Sequence, residues 1–311
     1  MIVISFELVP YSHLVFLVIC WTSMIVYVRI LYILQVRRHM EFKSSFFLIV
    51  KLHAITDVAM FLFVELIARP RKYKIHNLLE PMKNHWLPQF IYFLQTTIKN
   101  TIFLGYTVVA VNRFTIIFMQ KYHNHIWTPM VITVIYVLEW AVPAVGFSNL
   151  FYNTGNHNFS LLAASSGGLS LRADSDFMKL DALQDLSIST FCFLVSFTLY
   201  FTSILYILKT KTLSHGKLLK NSTEFIIFKC AVFSFVLFIP NALKSIFLYF
   251  YIGEQIFDWI TDLWYFTTEI MCIGSCWSLL LSSRKLREEF VPKINFSFSG
   301  SSIGTVSGRI L

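Results

Sequence analysis

Seven long apolar segments dominate this sequence and constrain its fold more than any other feature. A helix that crosses the hydrocarbon core of a bilayer needs about 20 largely apolar residues, and each segment is close to that length or longer. The sequence therefore predicts an all-α bundle of seven transmembrane helices. The predicted segments are residues 13–34, 45–67, 88–119, 129–147, 186–208, 225–251 and 257–282.

The composition supports lipid as the solvent of this chain. Hydrophobic residues make up 56% of the 311 residues and charged residues only 14%, whereas about a quarter of an ordinary soluble domain is charged. This balance excludes a soluble enzyme, a nucleic-acid-binding domain, a secreted disulfide scaffold and a disordered chain. The segments also lack the alternating ten-residue strands of an outer-membrane barrel.

The distribution of Lys and Arg predicts the orientation of the bundle. If the N-terminus lies outside, the inner loops and tail hold 14 of the 26 basic residues and the outer loops hold seven. Cytoplasmic loops carry the excess of basic residues, so we expect the N-terminus outside and the C-terminus inside, although the basic run 69–74 opposes this orientation. Residues 1–293 are predicted to form the transmembrane domain and residues 294–311 a disordered cytoplasmic tail.

The longest predicted loop, residues 148–185, falls on the outer side. It contains Asn158 in an Asn-Phe-Ser acceptor, which is predicted to be glycosylated. Asn221 and Asn295 also lie in acceptor patterns, but they are expected to face the cytoplasm. The small residues of the stretch 163–170 are typical of a flexible loop.

No arrangement typical of catalysis occurs in the chain. There is no zinc-binding His-Glu-x-x-His pair, no nucleophile elbow and no phosphate-binding glycine loop. His123 and His125 are best interpreted as residues of a solvated loop. We therefore expect no enzyme activity, no cofactor and no metal site.

Ionisable residues at membrane depth are costly and are candidates for function by default. Lys99 is the one base expected at mid-depth, and a partner acid, Asp57 or Glu269, is the favoured explanation for it; an anionic ligand is the alternative. Lys51 and Glu65 lie near segment ends and are expected to extend towards water. The residues proposed for a ligand cavity or a polar network inside the membrane are Asp57, Gln95, Lys99, Glu139, Asp262 and Glu269, with Lys244 as a further candidate.

Two features predict a switch on the inner side. Asn112 and Arg113 lie near the inner end of the third segment, a placement that resembles the G-protein-coupled receptors. In those receptors such an arginine can hold the inactive bundle or contact the G protein, and a simple interface arginine is the equal alternative. Pro240 in the sixth segment removes a backbone hydrogen bond and predicts a kink. After the seventh segment, Leu286 and Phe290 stand four residues apart among charges, a pattern typical of a short amphipathic helix, with a plain basic flank as the equal alternative.

Five short motifs occur at the ends of the predicted helices: Asn112-Arg113-Phe114, residues 121–127, Ser44-Ser45-Phe46-Phe47, Ile260-Thr261-Asp262-Leu263 and residues 278–285. In these motifs the chain resembles the nematode serpentine chemoreceptors of the gamma superfamily, with class gamma the first choice and class V the second. This resemblance implies a seven-helix chemosensory receptor in the plasma membrane, for example of sensory cilia, that binds a small-molecule cue and couples to a heterotrimeric G protein. The chain lacks the helix-seven Asn-Pro-x-x-Tyr of rhodopsin-like receptors.

Two other classes of membrane protein remain as alternatives. A seven-helix ligand-gated channel of the insect chemoreceptor kind normally has its N-terminus inside, which the distribution of basic residues opposes. A transporter is expected to show internal repeats or broken helices, and neither is visible in the sequence.

Overall fold

The computed structural model describes residues 9–36, 44–75, 86–148, 160–163, 167–172, 175–213, 238–250 and 254–290. Apart from one β-hairpin, the regular structure in these residues is helical. The helices are α1 (Tyr11–Val36), α2 (Ser45–Lys72), α3 (Leu87–Phe118), α4 (Gln120–Ile126), α5 (Pro129–Gly146), α6 (Ser175–Leu213), α7 (Phe238–Phe250), α8 (Glu254–Ser282) and α9 (Arg284–Phe290).

Five helices of the described residues are long and apolar enough to cross a membrane: α1, α2, α3, α5 and residues 176–207 of α6. Helices α1, α3 and α5 agree closely with the predicted segments, and α2 begins where it was predicted to begin. Within the described residues, α7 covers only the second half of the predicted sixth segment, and α8 occupies the predicted seventh. The predicted tail 294–311 lies outside the described residues.

Helix α2 is longer than predicted, and the basic run 69–72 that was expected in an outer loop is its last turn. A π-helical turn, Val64–Ala68, precedes Pro70. A proline ring clashes with the carbonyl one turn earlier in a regular α-helix, and a π-helical turn is a local change of hydrogen-bond pattern that helices use at such points. The helix therefore passes Pro70 and continues to Lys72.

Helix α6 begins earlier than the sequence predicted. It starts at Ser175, whereas the fifth predicted segment starts at Leu186. Its first three turns carry Asp181 and Asp185, which are both buried and which the sequence analysis had assigned to a loop.

A two-stranded antiparallel hairpin covers one end of the bundle, where the sequence predicted a flexible loop. Strand β1 (Ser160–Ala163) pairs with β2 (Leu169–Arg172). Gly167 takes a positive φ of 82°, and a Cβ on Gly168 would lie 1.9 Å from the Lys72 carbonyl oxygen. The hairpin therefore rests directly on the end of α2, and we call this side of the molecule the hairpin end.

The main core lies between α1, α2, α3 and α8. Helix α3 is central, because it packs against α2, α5 and α6. Helix α5 buries only Ile132, Glu139 and Pro143, and most of its other residues are exposed. Exposed apolar side chains along α1 and α5 form a surface suited to lipid.

The end opposite the hairpin, which we call the α4–α9 end, contains both short helices. The predicted amphipathic helix is confirmed as α9, with Leu286 fully buried. Arg29 of α1 donates to the Phe290 carbonyl oxygen at 2.9 Å and lies over the Phe290 ring. These contacts dock α9 against α1.

Candidate functional site

A buried ion cluster joins α2 to α8 at the hairpin end. Arg69 is completely buried and contacts the carboxylates of Glu65 and Glu269, the latter with Nη2 2.5 Å from Oε2. Trp21 of α1 donates to Glu65 at 3.3 Å. The expectation that Glu65 extends to water is therefore wrong, because Arg69 lies one turn away on the same face and pairs with it.

A second ion pair lies beside this cluster. Lys72 Nζ is 2.6 Å from Asp262 Oδ1, and the Tyr73 hydroxyl donates to the same oxygen at 2.6 Å. Burial and the adjacent carboxylate raise the pKa of the Tyr73 hydroxyl, which keeps it protonated as a donor. Asp262, a predicted cavity residue, is thus bound into a contact between α2 and α8.

Lys99 has an acidic partner, as the favoured explanation required, but the partner is neither Asp57 nor Glu269. Its Nζ lies 2.5 Å from Oδ2 of Asp185 in α6, and both side chains are buried. Asp185 also accepts a hydrogen bond from Ser245 of α7 at 3.1 Å. One turn earlier, Asp181 accepts from the Tyr92 hydroxyl.

The two remaining predicted acids lie at other helix contacts. Asp57 accepts from the Tyr27 hydroxyl at 2.7 Å and so joins α2 to α1. Glu139 of α5 has a carboxylate oxygen 3.4 Å from Nε2 of His53 in α2. Both acids are buried, and each connects its own pair of helices.

A narrow cavity with room for about one water molecule lies between α3, α7 and α8. Lys99 and Phe103 line it from α3, and Asn241 lines it from α7. Trp264 and Met271 contribute from α8, together with Thr267 and Thr268. Apolar walls with a few placed polar groups are typical of small-molecule sites. Gln95, the other predicted cavity residue of α3, is half-buried and does not line this space.

A hydrogen-bond network at the α4–α9 end is centred on His123. Its Nε2 lies 3.0 Å from the Ser45 hydroxyl of α2, and its Nδ1 lies 3.1 Å from the Thr115 hydroxyl of α3. Trp127 donates to Thr115 at 2.7 Å, and Asn112 donates to Ser45 at 3.2 Å. The prediction that His123 belongs to a solvated loop is wrong, since it is 5% exposed.

Arg113 lies beside this network. Its guanidinium carbon is 3.5 Å from the centre of the Phe46 ring of α2, a distance at which a cation is attracted to an aromatic face. Burial and the nearby Arg113 charge lower the pKa of His123, so His123 is held neutral and can accept at one ring nitrogen.

Pro240 lies in the first turn of the described part of α7, and its predicted kink falls on preceding residues that are not described. Asn158, Asn221 and Asn295 are also outside the described residues. Among the described residues no group of three or more His, Cys, Asp or Glu side chains is placed to hold a metal ion.

The sequence analysis missed two acids and one amide of the interior. Asp181 and Asp185 were excluded when the fifth segment was started at Leu186, although their i, i+4 spacing before an apolar run places them on one helix face. Asn241 was not singled out from the sequence. Its i, i+3 spacing to Lys244 is the signal that pointed to a shared face.

These features define a multi-pass membrane protein with a mainly helical bundle, a polar interior and a small internal cavity. The sequence matches the family model of the Srg family chemoreceptors over residues 13–290. The chain therefore belongs to the Srg family of chemoreceptors, which confirms its resemblance to the nematode serpentine chemoreceptors. No curated protein shows a significant match to it.

Proposed function

We propose that this protein is a seven-helix chemosensory receptor that binds a small-molecule cue from the hairpin end and activates a heterotrimeric G protein at the α4–α9 end. The observation that carries this proposal is a cavity with apolar walls and polar groups between α3, α7 and α8, inside a chain of a chemoreceptor family. The receptor would act in the plasma membrane, and a sensory cilium is the compartment that best suits its task.

The α4–α9 end supports the coupling part of this proposal. Asn112 and His123 connect α2, α3 and α4 through shared hydroxyl partners, and Arg113 rests on Phe46. A shift of α3 relative to α2 would have to break these contacts together. Such a set of contacts can hold one of two discrete arrangements, which is what a switch requires. Pro240 supplies the expected hinge of α7.

The burial of three basic residues at the end of α2 bears on the predicted orientation. Arg69, Arg71 and Lys72 were counted with the outer loops, but all three are buried in α2. When these three are left out of the count, the outer loops hold four basic residues and the inner loops and tail hold 14. The basic run therefore no longer opposes the predicted orientation. This strengthens the proposal of an outer N-terminus and an inner C-terminus.

The coupling role is tested with Arg113→Ala. We expect this variant to reach the cell surface and to lose most G-protein signalling in a cAMP or calcium reporter, because the guanidinium that contacts α2 is removed. Lys179→Ala, a change at an exposed lysine of α6 near the hairpin end, is the control. Full signalling by Arg113→Ala at matched surface expression would reduce Arg113 to an anchor at the membrane interface.

The orientation is tested by glycosylation and by tag accessibility. We expect Asn158→Gln to remove the glycan-dependent mobility shift, while Asn221→Gln and Asn295→Gln leave it. An N-terminal tag should be stained on intact cells. Staining only after permeabilisation would favour the channel alternative, and substrate uptake by vesicles that contain the purified protein would favour the transporter alternative.

A further inference from the structure

Asn241 is the most unusual residue of the cavity. It is 3% exposed, it lines the cavity, and neither its side-chain oxygen nor its side-chain nitrogen has a hydrogen-bond partner among the described residues. A buried amide without partners is costly to the protein, and native structures contain few such groups. An unsatisfied donor and acceptor in a cavity wall therefore point to a ligand.

Lys244 lies one turn after Asn241 and faces the same side of α7. Its ammonium is 4.0 Å from the centre of the Trp264 ring, and Trp264 forms part of the cavity wall. No described carboxylate makes an ion pair with Lys244, whereas the buried bases Arg69, Lys72 and Lys99 each have one. Among the described bases beside the cavity, Lys244 is thus held by an aromatic ring rather than by a carboxylate at ion-pair distance.

With Lys244 protonated, the charges around it leave an excess of one positive charge. Arg71 and Lys99 are close enough for their charges to act on its ammonium, as are Asp181 and Asp185. Three bases therefore face two acids in this layer. Arg71 is 7% exposed, and its Nε and Nη1 have no hydrogen-bond partner among the described residues. One further negative charge would balance the layer.

We propose that Asn241 and Lys244 receive the carboxylate of a small organic acid, whose apolar part packs against Phe103, Trp264 and Met271. This assignment rests on the proposed chemoreceptor function and names the chemical class of its cue. Lys99 is not the anchor, although the sequence singled it out, because Asp185 already holds its ammonium.

The chemistry favours a carboxylate over a phosphate. A single charge balances the excess of one, and an amide nitrogen with one ammonium matches the two oxygens of a carboxylate. The cavity has room for about one water molecule as it stands, so an acid that enters it must move the surrounding side chains apart, which favours a short acid. The remaining acceptor, the Asn241 oxygen, can take a hydrogen bond from a hydroxyl or amide group of the ligand.

The first test measures binding without signalling. The purified full chain in detergent is heated with hexanoate or phenylacetate, and in parallel with hexanamide or phenylacetamide, which keep the shape but lack the charge. We expect at least one acid to raise the melting temperature by about 2 °C or more at saturation and its amide to give a clearly smaller shift. Equal shifts from acid and amide, or no shift from either acid, would overturn the assignment.

The second test assigns the binding to the two residues. Asn241→Leu and Lys244→Met should each weaken the apparent affinity for the acid by about tenfold or more, because each removes a polar partner from a buried charge. The control Lys179→Met should bind like the wild type. Lys244→Glu reverses the charge and should shift the preference from hexanoate to hexylamine. Wild-type affinity for the acid in both Asn241→Leu and Lys244→Met would contradict the proposal.

These tests separate the inference from the proposed function. Stabilisation by an acid without activation of any G protein would retain the carboxylate site and refute the coupling. Activation by neutral compounds in a chain that no acid stabilises would retain the receptor function and refute the carboxylate site.

Discussion

Two polar regions of the interior, the Arg69 cluster between α2 and α8 and the cavity between α3, α7 and α8, differ in how far their buried polar groups are paired. In the Arg69 cluster two carboxylates surround one guanidinium, and only Arg69 Nε and Glu269 Oε1 lack a hydrogen-bond partner among the described residues. In the cavity, both polar atoms of Asn241 lack partners among the described residues. Paired groups join helices, whereas unpaired groups cost stability unless a ligand satisfies them. The first region therefore serves the fold and the second serves binding.

Breaking the Arg69 cluster should have the largest effect on stability. Arg69→Met leaves Glu65 and Glu269 buried without their cation, and the loss of one partner of a buried ion pair costs about 3–5 kcal/mol. We expect low surface expression and a strongly reduced melting temperature. The control Arg287→Met removes an exposed arginine of α9 and should cost less than about 1 kcal/mol.

A second change identifies the cause of that loss. Adding Glu65→Gln and Glu269→Gln to Arg69→Met removes the two charges left behind and should recover part of the stability. A melting temperature of Arg69→Met equal to that of the wild type would show that the cluster does not hold α2 to α8.

The Arg69 cluster also shows what the sequence could and could not predict. Helices α1, α3 and α5 were predicted within about two residues, because long apolar runs set their ends. The end of α2 was missed because three basic residues and a proline are typical of a loop. The acids of α8, about 200 residues away in the chain, pair with Arg69 and Lys72 and help to stabilise this buried helical turn.

The ligand region was predictable only in part. Lys99 was recognised from its depth in the membrane. Its partner Asp185 was missed because the first turns of α6 were predicted to be a loop. That the Asn241 amide has no hydrogen-bond partner among the described residues could not be predicted. It depends on which side chains of three helices surround the amide. The inner switch was located by Asn112 and Arg113, but its centre, His123, was assigned to solvent because α4 is short and polar.

The Lys99–Asp185 pair should have the next largest effect. Lys99→Met should destabilise the protein by about 2–3 kcal/mol, less than Arg69→Met, because Ser245 still donates to Asp185. Adding Asp185→Asn should recover stability. Adding Asp57→Asn instead should recover none, because Asp57 is bound to Tyr27 in another contact. Thermal unfolding of the four proteins checks this, and recovery by Asp57→Asn would contradict the pairing.

His123 should make stability depend on pH at the α4–α9 end. Its pKa in the folded protein is lowered from the usual value of about 6.5, so below that value the unfolded chain binds more protons than the folded one. Stability should therefore fall as the pH drops below about 7, by at most about 1.4 kcal/mol per pH unit. His123→Asn should reduce this dependence, and the exposed His125→Asn should not. An unchanged pH profile in His123→Asn would show that His123 does not cause this dependence of stability on pH.

The smallest effect on stability is expected for Asn241→Leu. Replacing an unsatisfied buried amide by an apolar group of similar size is nearly neutral or stabilising, so the melting temperature should stay within about 2 °C of the wild type. The matched control is Asn100→Leu, because Asn100 Nδ2 donates to the Thr96 carbonyl oxygen at 3.0 Å. Asn100→Leu should lower the melting temperature.

The measurement that tests the difference between the two regions most directly combines stability and response in one variant. Purified wild type and Asn241→Leu are placed in lipid nanodiscs, and their melting temperatures are compared with acid-stimulated nucleotide exchange on a heterotrimeric G protein. We expect equal melting temperatures, a response in the wild type, and little or no response in Asn241→Leu. An Asn241→Leu protein that melts well below the wild type and still responds to the acid like the wild type would contradict this expectation.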